Sequence, residues 1–221
     1  MGSLLFKNVD LKPLVLDGAM GSRLQQEDLS IESDYLGYEN CVDLLVRSRP
    51  QLIRSIHDSF LAAGSDAVET NTFGANPLVL SEFNEEIASW SRSLCKEAAE
   101  IARDACDSHT TADHRRFVLG SMGPGTKLIS LDQVSWDTML SSYAESARGL
   151  LEGGADAFLI ETCQDLLQVK CAINACLRVL EEASRTPQEI PIMVSVTIET
   201  SGTMLLGRDI GAGVNSLRSY P

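Results

Sequence analysis

Gly154-Ala155-Asp156-Ala157-Phe158-Leu159-Ile160-Glu161-Thr162 decides the fold. Small residues lead into a short apolar run, and the run stops at a carboxylate. An earlier stretch, Gly64-Ser65-Asp66-Ala67-Val68-Glu69-Thr70, echoes it with two fewer residues. Side chains alternate along a strand with a period of two, so the difference leaves both glutamates on the same side. Repeated units with acids at the C-terminal ends of strands predict a parallel β/α architecture with its site at those ends.

The same pattern recurs along the chain. Leu14-Val15-Leu16 leads to Asp17-Gly18, Phe117-Val118-Leu119 to Gly120, and Ile192 through Val196 to Thr197. Each run suits a strand buried on both faces. Helical patterns lie between them. One starts at Pro50 with Leu52, Ile53, Ile56 and Phe60 on a stripe and ends at Gly64. A second runs from Met139 to Leu151 and stops at Gly153-Gly154, and a third from Leu166 to Leu180. Strand–helix alternation implies parallel strands joined by right-handed crossovers. The expected fold is a TIM (β/α)8 barrel, incomplete here, with about five β/α units of the eight a barrel needs. An open doubly wound sheet shares the local pattern and is the alternative. Thr200 to Tyr220 reads as a loop and the start of a further helix, and residues 1–221 as one domain that lacks its last strands.

Composition narrows the function. With 221 residues, 44% of them apolar, the chain can bury a core. Its charge is 18 − 31 = −13, which argues against nucleic acid or an anionic membrane as a partner, since both need basic patches. No apolar run approaches the ~20 residues of a membrane span, and Met1 to Asp10 lacks the pattern of a secretory signal. Cys41, Cys95, Cys106, Cys163, Cys171 and Cys176 are irregularly spaced with no C-x-x-C, which suits reduced thiols in a cytoplasmic protein. Cys171 and Cys176, five apart on one helix, read as buried apolar thiols rather than metal ligands. His57, His109 and His114 are scattered and form no triad-like grouping, so they read as ordinary surface or helix residues.

Chemistry-bearing residues gather at the strand ends. Asp17-Gly18-Ala19-Met20-Gly21 could turn successive N–H groups toward a small anion, although an ordinary turn explains the segment equally well. Asp17, Glu69 and Glu161 could bind an amine, hold a cation or act as acid and base, with ion pairs to Arg or Lys as the structural alternative. Asn71-Thr72-Phe73-Gly74-Ala75-Asn76 offers hydroxyl and amide groups to the same face, or caps a loop. Gly120-Ser121-Met122-Gly123-Pro124-Gly125 reads as a flexible, backbone-exposing loop or a plain turn. An anion site beside carboxylates is what a zwitterionic amino acid requires.

Taken in order, these stretches resemble the homocysteine S-methyltransferase domain family. The resemblance rests on Val15 to Gly21, Glu69 to Asn76, Gly120 to Pro124, Glu152 to Asp156 and Ile160-Glu161-Thr162, and extends through Pro191 to Ser195 and Ser201 to Gly207. Glu69-Thr70-Asn71-Thr72-Phe73 is most similar to the cobalamin-dependent methionine synthase branch. The resemblance implies a barrel that binds homocysteine and zinc, the metal lowering the thiol's pKa so that a thiolate attacks a methyl group. It implies that the methyl arrives from methylcobalamin, recharged from methyltetrahydrofolate, through cobalamin- and folate-binding modules of the same enzyme. By resemblance Asp17 and Glu161 hold the substrate ammonium, the Gly18 and Ala19 amides hold its carboxylate, and Asn71 and Thr72 line the site. The family's three zinc cysteines follow its sixth and eighth strands, and this chain has no Cys-Cys pair. The expectation is therefore family membership without a metal site in this chain. Two other readings stay open: a non-catalytic truncated fragment, and a barrel aldolase or isomerase using Glu69 and Glu161. The latter would be favoured by a strand-end lysine, and none is visible.

Overall fold

A computed structural model of the chain describes Ser3, Leu5 and residues 13–221. The expectation for Met1 to Asp10 thus lies outside the described residues, except at Ser3 and Leu5. Four strands, β1 (Ala67–Glu69), β2 (Phe117–Met122), β3 (Ala157–Cys163) and β4 (Ile192–Val196), form a parallel sheet in sequential order. Val68 lies opposite Val118, Gly120 opposite Phe158, and Leu159 opposite Met193. Sequential order with every pair parallel is the topology of a barrel wall, not of a doubly wound sheet, whose strand order reverses.

The Leu14-Val15-Leu16 run joins the sheet beside β1, through a single parallel bridge from Leu16 to Ala67. Leu14 and Leu16 pack on the inner cluster, but Val15 is 60% exposed, so this run is buried on one face rather than the expected two. β2 differs as well. It continues through Gly120, Ser121 and Met122, where the glycines predict a loop, because these residues pair with β3 and are buried.

Five longer helices cover the sheet: α1 (Pro50–Ala63), α2 (Ser91–His109), α3 (Trp136–Glu152), α4 (Leu166–Glu182) and α5 (Ile210–Leu217). Pro50 sits in the first turn of α1, where its missing N–H costs nothing, and Gly64 ends the helix at φ 114°, a conformation that disfavours a side chain. The Ser135 hydroxyl caps α3, and the Asp165 carboxylate caps α4. α2 has no apolar pattern of large residues. Its buried stripe is Leu94, Cys95, Ala98, Ala99, Ala102, Ala105 and Cys106. Small residues let α3 approach closely; a Cβ on Gly149 would lie 2.1 Å from the Arg92 carbonyl oxygen.

Two cores result. Val68, Val118, Phe158 and Ile160 face the helices and meet Ala99, Tyr143, Ala147 and Val169. Ala67, Phe117, Leu119, Ala157 and Leu159 form the inner face. The cysteines are free and buried. The sulfur of Cys171 reaches the Trp136 carbonyl at 3.6 Å, and that of Cys176 reaches the Met122 sulfur at 3.7 Å. His57 lies on α1, one of the helix positions expected for the histidines. It is 0% exposed with neither ring nitrogen hydrogen-bonded among the described residues, and burial pushes its pKa down to about 4. His109 and His114 contact Asp58 and Asp66. Among the described residues, no helix is long and apolar enough to cross a membrane.

Candidate functional site at the strand ends

The inner face changes character at its C-terminal rim. Two residues beyond Ala67 comes Glu69, beyond Leu119 comes Ser121, and beyond Leu159 comes Glu161. Alternation therefore stacks polar groups directly above an apolar floor. With Asp17, Gly18, Ala19 and Asn71 they line a cavity of about 400 Å³. Five of the six residues expected to bind substrate are thus brought together.

Thr72 is the exception. It is 3% exposed and is not among the residues that line the cavity. Its hydroxyl donates to the Ser121 carbonyl at 2.7 Å and sits 2.6 Å from the Thr70 hydroxyl. Asn71 reaches the cavity, but its side-chain nitrogen donates to the Val42 carbonyl at 2.9 Å. Gly74 N donates to the buried Asp43 carboxylate at 3.1 Å, which ties down the loop that carries Asn71 and Phe73.

The three acids share one environment. Both oxygens of Asp17 accept the Glu69 N–H, and Glu161 accepts a hydrogen bond from the Ser121 hydroxyl. No Arg or Lys among the described residues pairs with any of the three. Burial pushes Asp17 up to about 7, aided by the charges of Glu69 and Glu161 and opposed by the Glu69 N–H. Burial and the charge of Glu161 likewise push Glu69 up to about 7. Glu161 is raised by burial, and the Ser121 hydrogen bond opposes the rise.

The backbone is irregular where it delivers Glu161. Ile160 pairs with Val194 and Cys163 with Val196, so β3 carries one extra residue between them. Thr162 takes up the bulge at φ 58°, a conformation β-branched residues disfavour. Elsewhere in the cavity lining, among the described residues, the N–H groups of Gly18 and Ala19 donate no backbone hydrogen bond.

Ser121 and Phe73 also line the cavity, and neither is among the residues expected to bind substrate. Period two from Phe117 through Leu119 points to Ser121, but the flanking glycines make the segment read as a loop. A second cavity, about 450 Å³, lies between Asp165 and Ser216. It shows no comparable chemistry: its one acid, Asp165, is engaged by the backbone N–H of Leu167 and Ser130 and by the Ser130 hydroxyl.

Comparison with known proteins points the same way. The sequence profile of the family described as Homocysteine S-methyltransferase matches residues 14–221. The methionine synthase of Mycobacterium leprae (strain TN) is 46% identical over 210 residues, covering 95% of this chain and 17% of that protein. That of Mycobacterium tuberculosis (strain ATCC 25618 / H37Rv) is 46% identical over 204 residues, 92% of this chain and 17% of that protein. The chain thus spans 17% of the length of these relatives. Among solved structures, the metallated form of the homocysteine methyltransferase MmuM from Escherichia coli superposes with a TM-score of 0.75 at 22% identity, covering 98% of this chain and 74% of that one. Its apo form gives 0.69, over 96% and 70%. At this identity the structural likeness speaks for the fold alone.

Proposed function

The chain belongs to the homocysteine S-methyltransferase family, and from that premise we propose that its strand-end cavity binds homocysteine as the methyl acceptor of a methionine synthase. The observation that carries this reading is the unmatched charge. Among the described residues, Asp17, Glu69 and Glu161 face one cavity without an Arg or Lys partner, and the Gly18 and Ala19 amides that share its lining donate no backbone hydrogen bond. An α-amino acid supplies the complement of both. Its ammonium brings a positive charge to the acids, its carboxylate accepts from the two amides, and about 400 Å³ is ample for a side chain of three heavy atoms.

In this reading Asp17 and Glu161 hold the ammonium, and Gly18 and Ala19 the carboxylate. Asn71 lines the cavity, while Thr72 supports it through the Ser121 carbonyl. Residues 1–221 are taken as the N-terminal part of a homocysteine-binding barrel domain, and a cytoplasmic location accords with the free cysteines. Methylcobalamin and methyltetrahydrofolate are assigned to other modules of the longer protein.

Zinc, which the family resemblance implies, does not fit the residues present. Among the described residues no group of three or more His, Cys, Asp or Glu could hold a metal ion. The cysteines are buried. Cys163, two residues from Glu161, packs into the helix-facing core, where burial pushes its thiol up to about 12. The chemistry of this chain's own residues is accordingly confined to binding and orienting the acceptor amino acid.

Calorimetry with L-homocysteine, 4-mercaptobutyrate and 3-mercaptopropylamine tests the assignment. Losing either charge should weaken binding about ten- to a hundredfold, the size of one charge-assisted contact. Equal affinity for all three would overturn it.

A further inference from the structure

We propose that Ser121 is a positioning residue, holding the Glu161 carboxylate in the orientation and charge state that an amino-acid ammonium requires. The inference rests on the reading that Glu161 faces that ammonium. Ser121 is 2% exposed, and its hydroxyl donates to Oε1 of Glu161. Among the described residues it is the sole side-chain donor to that carboxylate. Asp17 and Glu69, which face Glu161 from other strand ends, are acids that repel its charge whenever they are ionised.

Ser121 is itself held by two threonines. Its N–H donates to the Thr70 hydroxyl at 2.9 Å, and its carbonyl accepts from the Thr72 hydroxyl at 2.7 Å. The two threonine hydroxyls are 2.6 Å apart. One arrangement satisfies all three contacts. Thr72 donates to Ser121, so its oxygen accepts from Thr70, whose oxygen accepts from Ser121. This closed circuit gives Thr72 a part in the site without touching its cavity. Such a device has work to do here, because the bulge at Thr162 breaks the ladder beside Glu161 and leaves its direction unset by strand pairing.

The test uses the 221-residue chain, with side-chain carboxyl carbons of glutamate labelled and followed by NMR. In Ser121→Ala the Glu161 titration midpoint should rise, because a donor to the charged form is gone. Ser121→Cys, which keeps a weak donor, should fall between. Homocysteine binding near neutral pH should weaken about tenfold in Ser121→Ala, with that of 4-mercaptobutyrate unchanged. Thr72→Val should raise the midpoint too, and serves if Ser121→Ala does not fold. An unchanged Glu161 midpoint in a folded variant overturns the positioning role. Glu161→Gln, run alongside, isolates the underlying reading: unchanged homocysteine affinity there removes the ammonium role of Glu161, and the functional half of this inference with it.

Discussion

Both carboxylate oxygens of Asp17 lie 3.1 Å from the backbone nitrogen of Glu69. The contact ties the rim of the first apolar run to the end of β1 and turns one acid's backbone toward another's side chain. It offsets only part of the cost of burial, since Asp17 is still pushed up to about 7. A carboxylate so placed favours a ligand that brings a positive charge.

If Asp17 and Glu161 share one ammonium, their effects are coupled. Asp17→Asn and Glu161→Gln should each weaken homocysteine binding by about 1.5–3 kcal/mol, and the double variant should lose less than the sum. Calorimetric affinities for the four proteins of the cycle give the coupling directly. Simple additivity would assign the two acids to separate groups.

Glu69 should show itself in stability. Folded, it retains its proton up to about pH 7, whereas the unfolded chain releases it near pH 4. The folded state therefore binds more protons between these limits. The stability Glu69 contributes is complete below about pH 4 and is lost as pH rises to about 7. Glu69→Gln abolishes that loss. Its melting temperature should exceed the parent's at pH 8 by roughly 2–4 °C, about 1 kcal/mol after allowance for solvent screening, and by less at pH 5. A gain that does not depend on pH would reject the titration argument.

Much of this site is legible in the amino-acid sequence, because a period of two is a strong signal. Once Ala157 to Ile160 is a strand, Glu161 must share a face with Leu159. Position just beyond a strand end, rather than this counting, brings Asp17, Gly18, Ala19 and Asn71 to the same rim. Thr72 escapes it because its segment reads as a uniform polar loop, whereas successive residues there face opposite ways and its hydroxyl turns inward to Thr70 and the Ser121 carbonyl. Gly120 disguises the end of β2. It reads as a loop glycine, yet its lack of a Cβ makes room for Leu150 of α3, which a Cβ would meet at 3.0 Å. The α2 stripe, built mostly from alanine and cysteine, carries too little bulk for an apolar pattern to stand out. The full burial of His57 depends on tertiary packing that local sequence does not encode.

Gly123 should not tolerate a side chain. A Cβ there would lie 2.4 Å from the Phe73 carbonyl oxygen, a backbone atom that cannot rotate aside, and Gly123 N donates to that same oxygen at 3.1 Å. Gly123→Ala should push the loop bearing Asn71 and Phe73 away from β2 and destabilise the fold by about 1–3 kcal/mol. Denaturant unfolding measures the loss, and homocysteine affinity should fall with it. Gly21→Ala, with nothing within 4 Å of the added carbon, is the matched control for folding.

Zinc should not bind this chain tightly. A catalytic zinc site normally has three protein ligands, with the fourth position left for substrate. The described residues offer no such group, and burial pushes the thiols of Cys41, Cys106, Cys163 and Cys171 up to about 12, with Cys95 and Cys176 also raised. Thiols like these resist the deprotonation that zinc binding requires. The acids at the cavity present a different chemistry: hard oxygen donors, two of them protonated up to about pH 7. Homocysteine held there would keep an unperturbed thiol, with a pKa of about 8.5, and stay mostly protonated at neutral pH. The 221-residue chain should therefore bind homocysteine through its amino-acid end, yet neither hold zinc tightly nor transfer a methyl group. Zinc stoichiometry on purified protein, measured with methyl transfer from methylcobalamin, checks both statements. One tightly held zinc per chain, with homocysteine turnover, would show that the metal's ligands lie among residues whose burial here argues against them.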